Sequence, residues 1–197
     1  MTKNIILNIA VYICKFLKLT YLLLLIGVTV VFVHYQINPK SYDSVYFNEK
    51  SNKTYEFKIK QSSPDSQVNK EIEMNKMTAL NKIKTGSLYF LYLRLGTILV
   101  LSYLITKQFQ IVITSVKKME TFKKNNAISF KRIGIYLFII FIITSFWSVQ
   151  YLFGDKYYEI NKIEISLTPL IWMLLSFIMA EIFKEGHKIS EENELTV

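Results

Sequence analysis

The run IGIYLFIIFIITSFWSVQYLF, Ile133 to Phe153, contains no Asp, Glu, Lys or Arg. A bilayer core about 30 Å thick takes about 20 helical residues, because in lipid a helix pairs its own backbone polar groups. That run is long enough to cross a membrane by itself. Two further stretches without a charged residue, Leu19 to Tyr35 and Leu95 to Thr106, repeat the pattern. With 51% hydrophobic residues and a mean hydropathy of +0.26, the chain departs from an average soluble domain toward lipid.

Four spans are predicted, over about 19–36, 88–113, 133–153 and 168–183. The first closes before Pro39, and the second carries Arg94 and Lys107 toward its two ends, where long stems reach the headgroups. The third stops at Gly154-Asp155, and the fourth begins at Thr168-Pro169, a cap followed by a proline in the first turn. The bulky VFVHYQINPK offers no small-residue cleavage site, so the first run is read as an uncleaved anchor. Ahead of it, Asn4, Asn8, Lys15 and Lys18 recur opposite Ile5, Ile9, Ile13 and Phe16. That spacing predicts an amphipathic lead-in helix at the membrane interface or packed on the bundle.

Orientation follows from Lys and Arg in short flanks. The connection 114–132 holds KKMETFKKNNAISFKR, with six basic residues against one acid, and the N-terminal flank adds three lysines. Both are expected in the cytoplasm, with both termini there and the protein integral to the cytoplasmic (inner) membrane. The connection 37–87 has nine lysines but also six acids, and is long enough to escape the rule. Within it, SYDSVYF and TYEFKIK alternate polar with apolar residues as a hairpin, and VNKEIEMNKMTALNKIK has helical spacing. The second outer connection, 154–167, contains the strand-like KYYEINKIEISL. The expected fold is an all-α membrane protein, one membrane domain of four transmembrane helices, with a small extracytoplasmic β-containing cap formed as one sheet. A cytoplasmic tail, 184–197, follows the last span.

Chemistry is harder to place. One cysteine, Cys14, excludes an internal disulfide or a paired-cysteine redox site. His34 and His187 lie at or beyond span ends, no HExxH motif occurs, and the six glycines are spread singly. No catalytic, cofactor-binding or metal-binding residue is assigned, and no enzyme activity or cofactor is expected. The +9 charge sits beside apolar runs rather than on one stripe with interleaved aromatics, which argues against direct nucleic-acid binding. Glu181, in the last turn of the fourth span, is expected to meet Lys107, Lys131 or Arg132 rather than lipid.

The segments KRIG, Lys131 to Gly134, and IFKEG, Ile182 to Gly186, precede a stretch ending EENELTV, Glu191 to Val197. Together they resemble the four-span bacterial membrane family known as domain of unknown function 2975. Members tend to carry a Pro-Phe turn before the basic pair; here Ala127-Ile128-Ser129-Phe130 stands in its place. The resemblance implies no reaction. It implies a small helix-turn-helix transcriptional regulator as a cytoplasmic partner, for which the tail residues Glu191, Glu192, Glu194, Leu195 and Val197 are the candidate docking segment. The alternative is a subunit of a small oligomeric transporter or channel, which would make its pathway as a homo-oligomer.

Overall fold

The computed structural model describes residues 2–42, 45–50, 54–59, 77–79, 83–153, 156–163 and 165–194. Four long helices organise them: α1 Thr2–Ile37, α2 Thr85–Lys117, α3 Lys124–Ser145 and α4 Leu167–Glu194. Each is long and apolar enough to cross a membrane. The chain divides into two compact units. One gathers Met1–Gly27, Arg94–Phe146 and Ile163–Val197, and the other Val28–Leu93 and Trp147–Lys162.

Helix α1 is continuous, so the lead-in and the first span are one element; it ends just before Pro39, whose ring opens a short 3-10 turn, Pro39–Tyr42. The lead-in's apolar face is not packed away, since Ile5, Ile9, Ile13 and Phe16 are all exposed. In lipid such exposure carries no hydrophobic penalty.

The strands form two sheets, where the sequence predicted one. Strands β1 (Val45–Lys50) and β2 (Thr54–Ile59) pair antiparallel in a register running from Val45 opposite Ile59 to Lys50 opposite Thr54. Strand β3, Met77–Ala79, joins the free edge of β1, with Tyr46 opposite Ala79. These three residues fall within the segment expected to be helical; Ile83 and Lys84 at its end are not helical either, and the rest of it lies outside the described residues. Strands β4 (Phe146–Phe153) and β5 (Lys156–Ile163) make a separate two-stranded sheet.

The third span differs most from its prediction. Helix α3 stops at Ser145, and FWSVQYLF continues as β4 rather than as helix. At about 1.5 Å per residue its 22 residues already measure about 33 Å, enough for the bilayer core. Its last carbonyls are taken by side chains. Arg94 donates from Nε to the Ile143 carbonyl and from Nη2 to that of Thr144, both at 3.2 Å. Thr144 Oγ1 donates to the Ile140 carbonyl at 2.8 Å and Ser145 Oγ to that of Phe141 at 2.7 Å. A guanidinium at a helix C-terminus also meets the negative end of the dipole. Arg94 therefore caps a neighbouring helix rather than reaching for headgroups.

In the first unit, α3 and α4 form the main seam. Val112, Phe130, Ile133, Ala180 and Phe183 are its buried core, and Ile133 is fully buried. Gly134 makes the close approach feasible: a Cβ there would lie 2.7 Å from Cε1 of Phe177. In the other unit, Phe32 stacks on Tyr92 with ring centroids 4.3 Å apart and meets Tyr89 edge-on at 5.0 Å. The Tyr92 hydroxyl lies 3.1 Å from that of Thr29, and the Tyr42 hydroxyl 2.9 Å from Nδ1 of His34.

Candidate functional site

The short connection between α2 and α3 is a built structure rather than a loose basic loop. Helix α2 closes with Met119 N–H donating to the Val116 carbonyl at 3.2 Å and Glu120 N–H to that of Ser115 at 3.1 Å. This paired reversal places its turning residue in the left-handed region, and Met119 has φ 61° there, where glycine is usual. Asn126, fully buried at the start of α3, holds the loop in place. Its Nδ2 donates to the carbonyls of Thr121 at 2.7 Å and Glu120 at 3.3 Å, and to Ser115 Oγ at 3.0 Å. Ser115 Oγ in turn donates to the Glu120 carbonyl at 2.7 Å. One buried amide thus ties the end of α2, the loop and the first turn of α3 together.

The loop also delivers Phe122 to α4. Its ring lies against Gly186, in the space a Cβ would occupy. Phe122 packs on Phe183 at 5.9 Å, Phe183 stacks on Phe130 at 5.1 Å, and Phe109 meets Phe130 edge-on at 6.3 Å. Four of the residues behind the family resemblance are thereby accounted for locally: Gly134 and Gly186 each receive an aromatic ring, and Ile133 and Phe183 fill the core.

Two cavities flank this arrangement within the same unit. The first, about 430 Å³, is lined by Lys18 of α1, Lys107 and Thr114 of α2, Lys118, Glu120 and Lys123 of the loop, and Asn126. Glu120 and Lys123 pair at 2.7 Å. The hydrogen bond from Lys123 holds the Glu120 carboxyl below its ordinary pKa, so it is ionised at neutral pH. The second cavity, about 410 Å³, lies between α3 and α4, with Lys124, Lys131, Glu181, Lys184, His187 and Glu191 in its walls.

The predicted ionic contact is not the one found. Glu181 pairs with Lys184 of its own helix at 2.9 Å, and both side chains are exposed. Lys131 shares the second cavity with Glu181, Lys107 lines the first, and Arg132 is exposed. An exposed i,i+3 pair is the cheaper arrangement, since neither charge gives up water. The tail expected after residue 183 continues α4 to Glu194, and His187 Nε2 lies 3.3 Å from Glu191 Oε1. Glu192 and Glu194 belong to the same helix, whereas Leu195 and Val197 lie outside the described residues. Sequence reasoning missed Asn126 and the role of Lys18; the only signal was the Lys-Lys-Asn-Asn run, a helix-start composition. Among the described residues, no three His, Cys, Asp or Glu side chains come together as a metal would require.

The family described as "Protein of unknown function (DUF2975)" matches residues 72–197. Neither a curated protein nor a solved structure matches the chain.

Proposed function

We propose, for a chain that belongs to the DUF2975 family, that it is a non-enzymatic integral membrane protein whose basic connection and α4 extension hold a cytoplasmic partner. The partner is a small helix-turn-helix transcriptional regulator, as the resemblance implies. The length of α4 carries this reading. Its 28 residues measure about 42 Å, about 12 Å more than a bilayer core needs, so the charged end must stand clear of lipid. That end presents Ile189, more than half exposed, among Lys188, Glu191 and Glu192. Apolar anchors inside a mixed-charge rim are what a protein partner recognises. On this reading the connection 114–132 and both termini are cytoplasmic, and β1 to β5 form an extracytoplasmic cap.

Two experiments test it. Cysteine placed at Asn125 in a Cys14→Ser background should resist a membrane-impermeant thiol reagent in intact cells, and ready labelling would reverse the topology. Deleting Glu191 to Val197 should leave the melting temperature in detergent nearly unchanged, because Glu191, Glu192 and Asn193 are exposed past the last span, while retention of a co-expressed regulator falls. Unchanged retention with a large loss of thermal stability would make the segment part of the fold instead.

A further inference from the structure

Four lysines against one glutamate line the cavity at the α2–α3 connection, and the glutamate is already held by Lys123. Lys18, Lys107 and Lys118 have no ion-pair partner among the described residues. Two of them sit at a telling level. Lys18 immediately precedes the charge-free run Leu19–Tyr35, and Lys107 immediately follows the charge-free run Leu95–Thr106. Two different membrane helices thus place an ammonium group where the hydrocarbon ends and the phosphates of lipid headgroups begin.

A second observation adds chemistry. Asn126 lines the cavity and is fully buried, yet its Oδ1 accepts no hydrogen bond. Rotating the amide does not cure this, because Nδ2 faces two carbonyls and a hydroxyl already committed as a donor to the Glu120 carbonyl. A buried carbonyl oxygen left this way costs free energy until a donor reaches it. The site therefore asks for a negative charge, and a hydroxyl or amine that reached Asn126 Oδ1 would satisfy it.

We propose that this cavity binds the headgroup of an anionic phospholipid, its phosphate held by Lys18, Lys107 and Lys118 and a headgroup hydroxyl donating toward Asn126. The volume, about 430 Å³, is in the range of small-ligand pockets. Phosphatidylglycerol has the required chemistry, with one phosphodiester and a diol in reach of each other. The inference does not rest on the partner-holding role proposed above.

The test uses full-length protein in phosphatidylcholine nanodiscs titrated with phosphatidylglycerol, read as a shift in melting temperature. Two double variants are compared: Lys18→Gln/Lys107→Gln, and Lys131→Gln/Arg132→Gln, which removes the same charge outside this cavity. Both should melt like the parent in pure phosphatidylcholine, since all four side chains lie at the surface or half-buried. Phosphatidylglycerol should stabilise the parent and the second variant alike, while the first variant's apparent affinity falls roughly tenfold. Equal losses in both variants, or none in the first, would overturn the site. Phosphatidylmethanol, of the same charge but without a hydroxyl, should bind the parent more weakly; equal binding would remove Asn126 from the proposal. Glycerol 1-phosphate added to pure phosphatidylcholine discs should have no effect, and a full thermal shift from it would make the ligand a soluble phosphate ester rather than a lipid.

Discussion

Along the seam of α3 and α4, a single added Cβ at Gly134 would come within 2.7 Å of Phe177; beside the α2–α3 connection, a cavity of about 430 Å³ stays open among lysines. The two regions belong to one unit and differ in which residues they use. The seam includes Ile133, Gly134 and Phe183, three of the positions that carry the family resemblance. The cavity is built from Lys18, Lys107 and Asn126, which lie outside those short segments, although the family match spans Lys107 and Asn126. The buried part of the signature therefore marks how two helices fit, while its charged part, Lys131, Arg132 and Lys184, is exposed.

The strongest way to break the contrast is Phe183→Ala. Phe183 joins Phe122 to Phe130 and is buried, so its removal should cost about 3–5 kcal/mol in detergent unfolding. A cost under about 1 kcal/mol would mean the seam is not what holds this unit together. Gly134→Ala comes next, at about 1–3 kcal/mol, because the Phe177 ring must move. Its control is Gly96→Ala, where a Cβ meets only Leu25 Cδ1 at 3.8 Å; this change should be neutral or gain up to about 1 kcal/mol from helix propensity. If both alanines behaved alike, glycine would serve no packing purpose at residue 134.

Met119→Gly should stabilise by about 0.5–1 kcal/mol, since glycine relieves the left-handed backbone while Met119 buries almost nothing. The smallest effect concerns Glu120. Its folded pKa is depressed by the hydrogen bond from Lys123, so whatever it contributes is present above the ordinary glutamate pKa and lost as pH falls through the folded value. Thermal melts of the parent and Glu120→Gln should differ slightly at neutral pH and converge in acid. A difference that widened in acid would contradict the sign.

Much of this architecture is legible in the residues alone. Charge-free runs locate three of the four helices, because lipid tolerates few ionised side chains, and Thr168-Pro169 marks the start of the fourth. The end of α3 is not legible, since Phe146 to Phe153 is as apolar as the helix before it, and hydropathy cannot distinguish helix from strand in such a run. That boundary is capped by Arg94, some fifty residues earlier, through hydrogen bonds that no local pattern announces. Met119 is equally hidden, because its backbone is dictated by the bonds around it rather than by its own preference. Of the site, the basic character of the α2–α3 connection was readable. The partner of Glu181 was not, since charge content alone does not choose between a neighbouring helix and the next turn of the same one.

The two attachments between α2 and α3 have a mechanical consequence. Arg94 grips Ile143 and Thr144, while Ser115 receives Asn126. At about 1.5 Å per residue the anchor points are about 32 Å apart along α2 and about 27 Å apart along α3. The pair is a ladder with a rung near each membrane surface. Sliding one rail along the other would break both rungs at once and leave the Ile143 and Thr144 carbonyls without Arg94, which opposes piston motion of these helices. Rolling or tilting as a unit keeps both rungs intact, and a signal crossing the bilayer through this pair would have to travel as rotation.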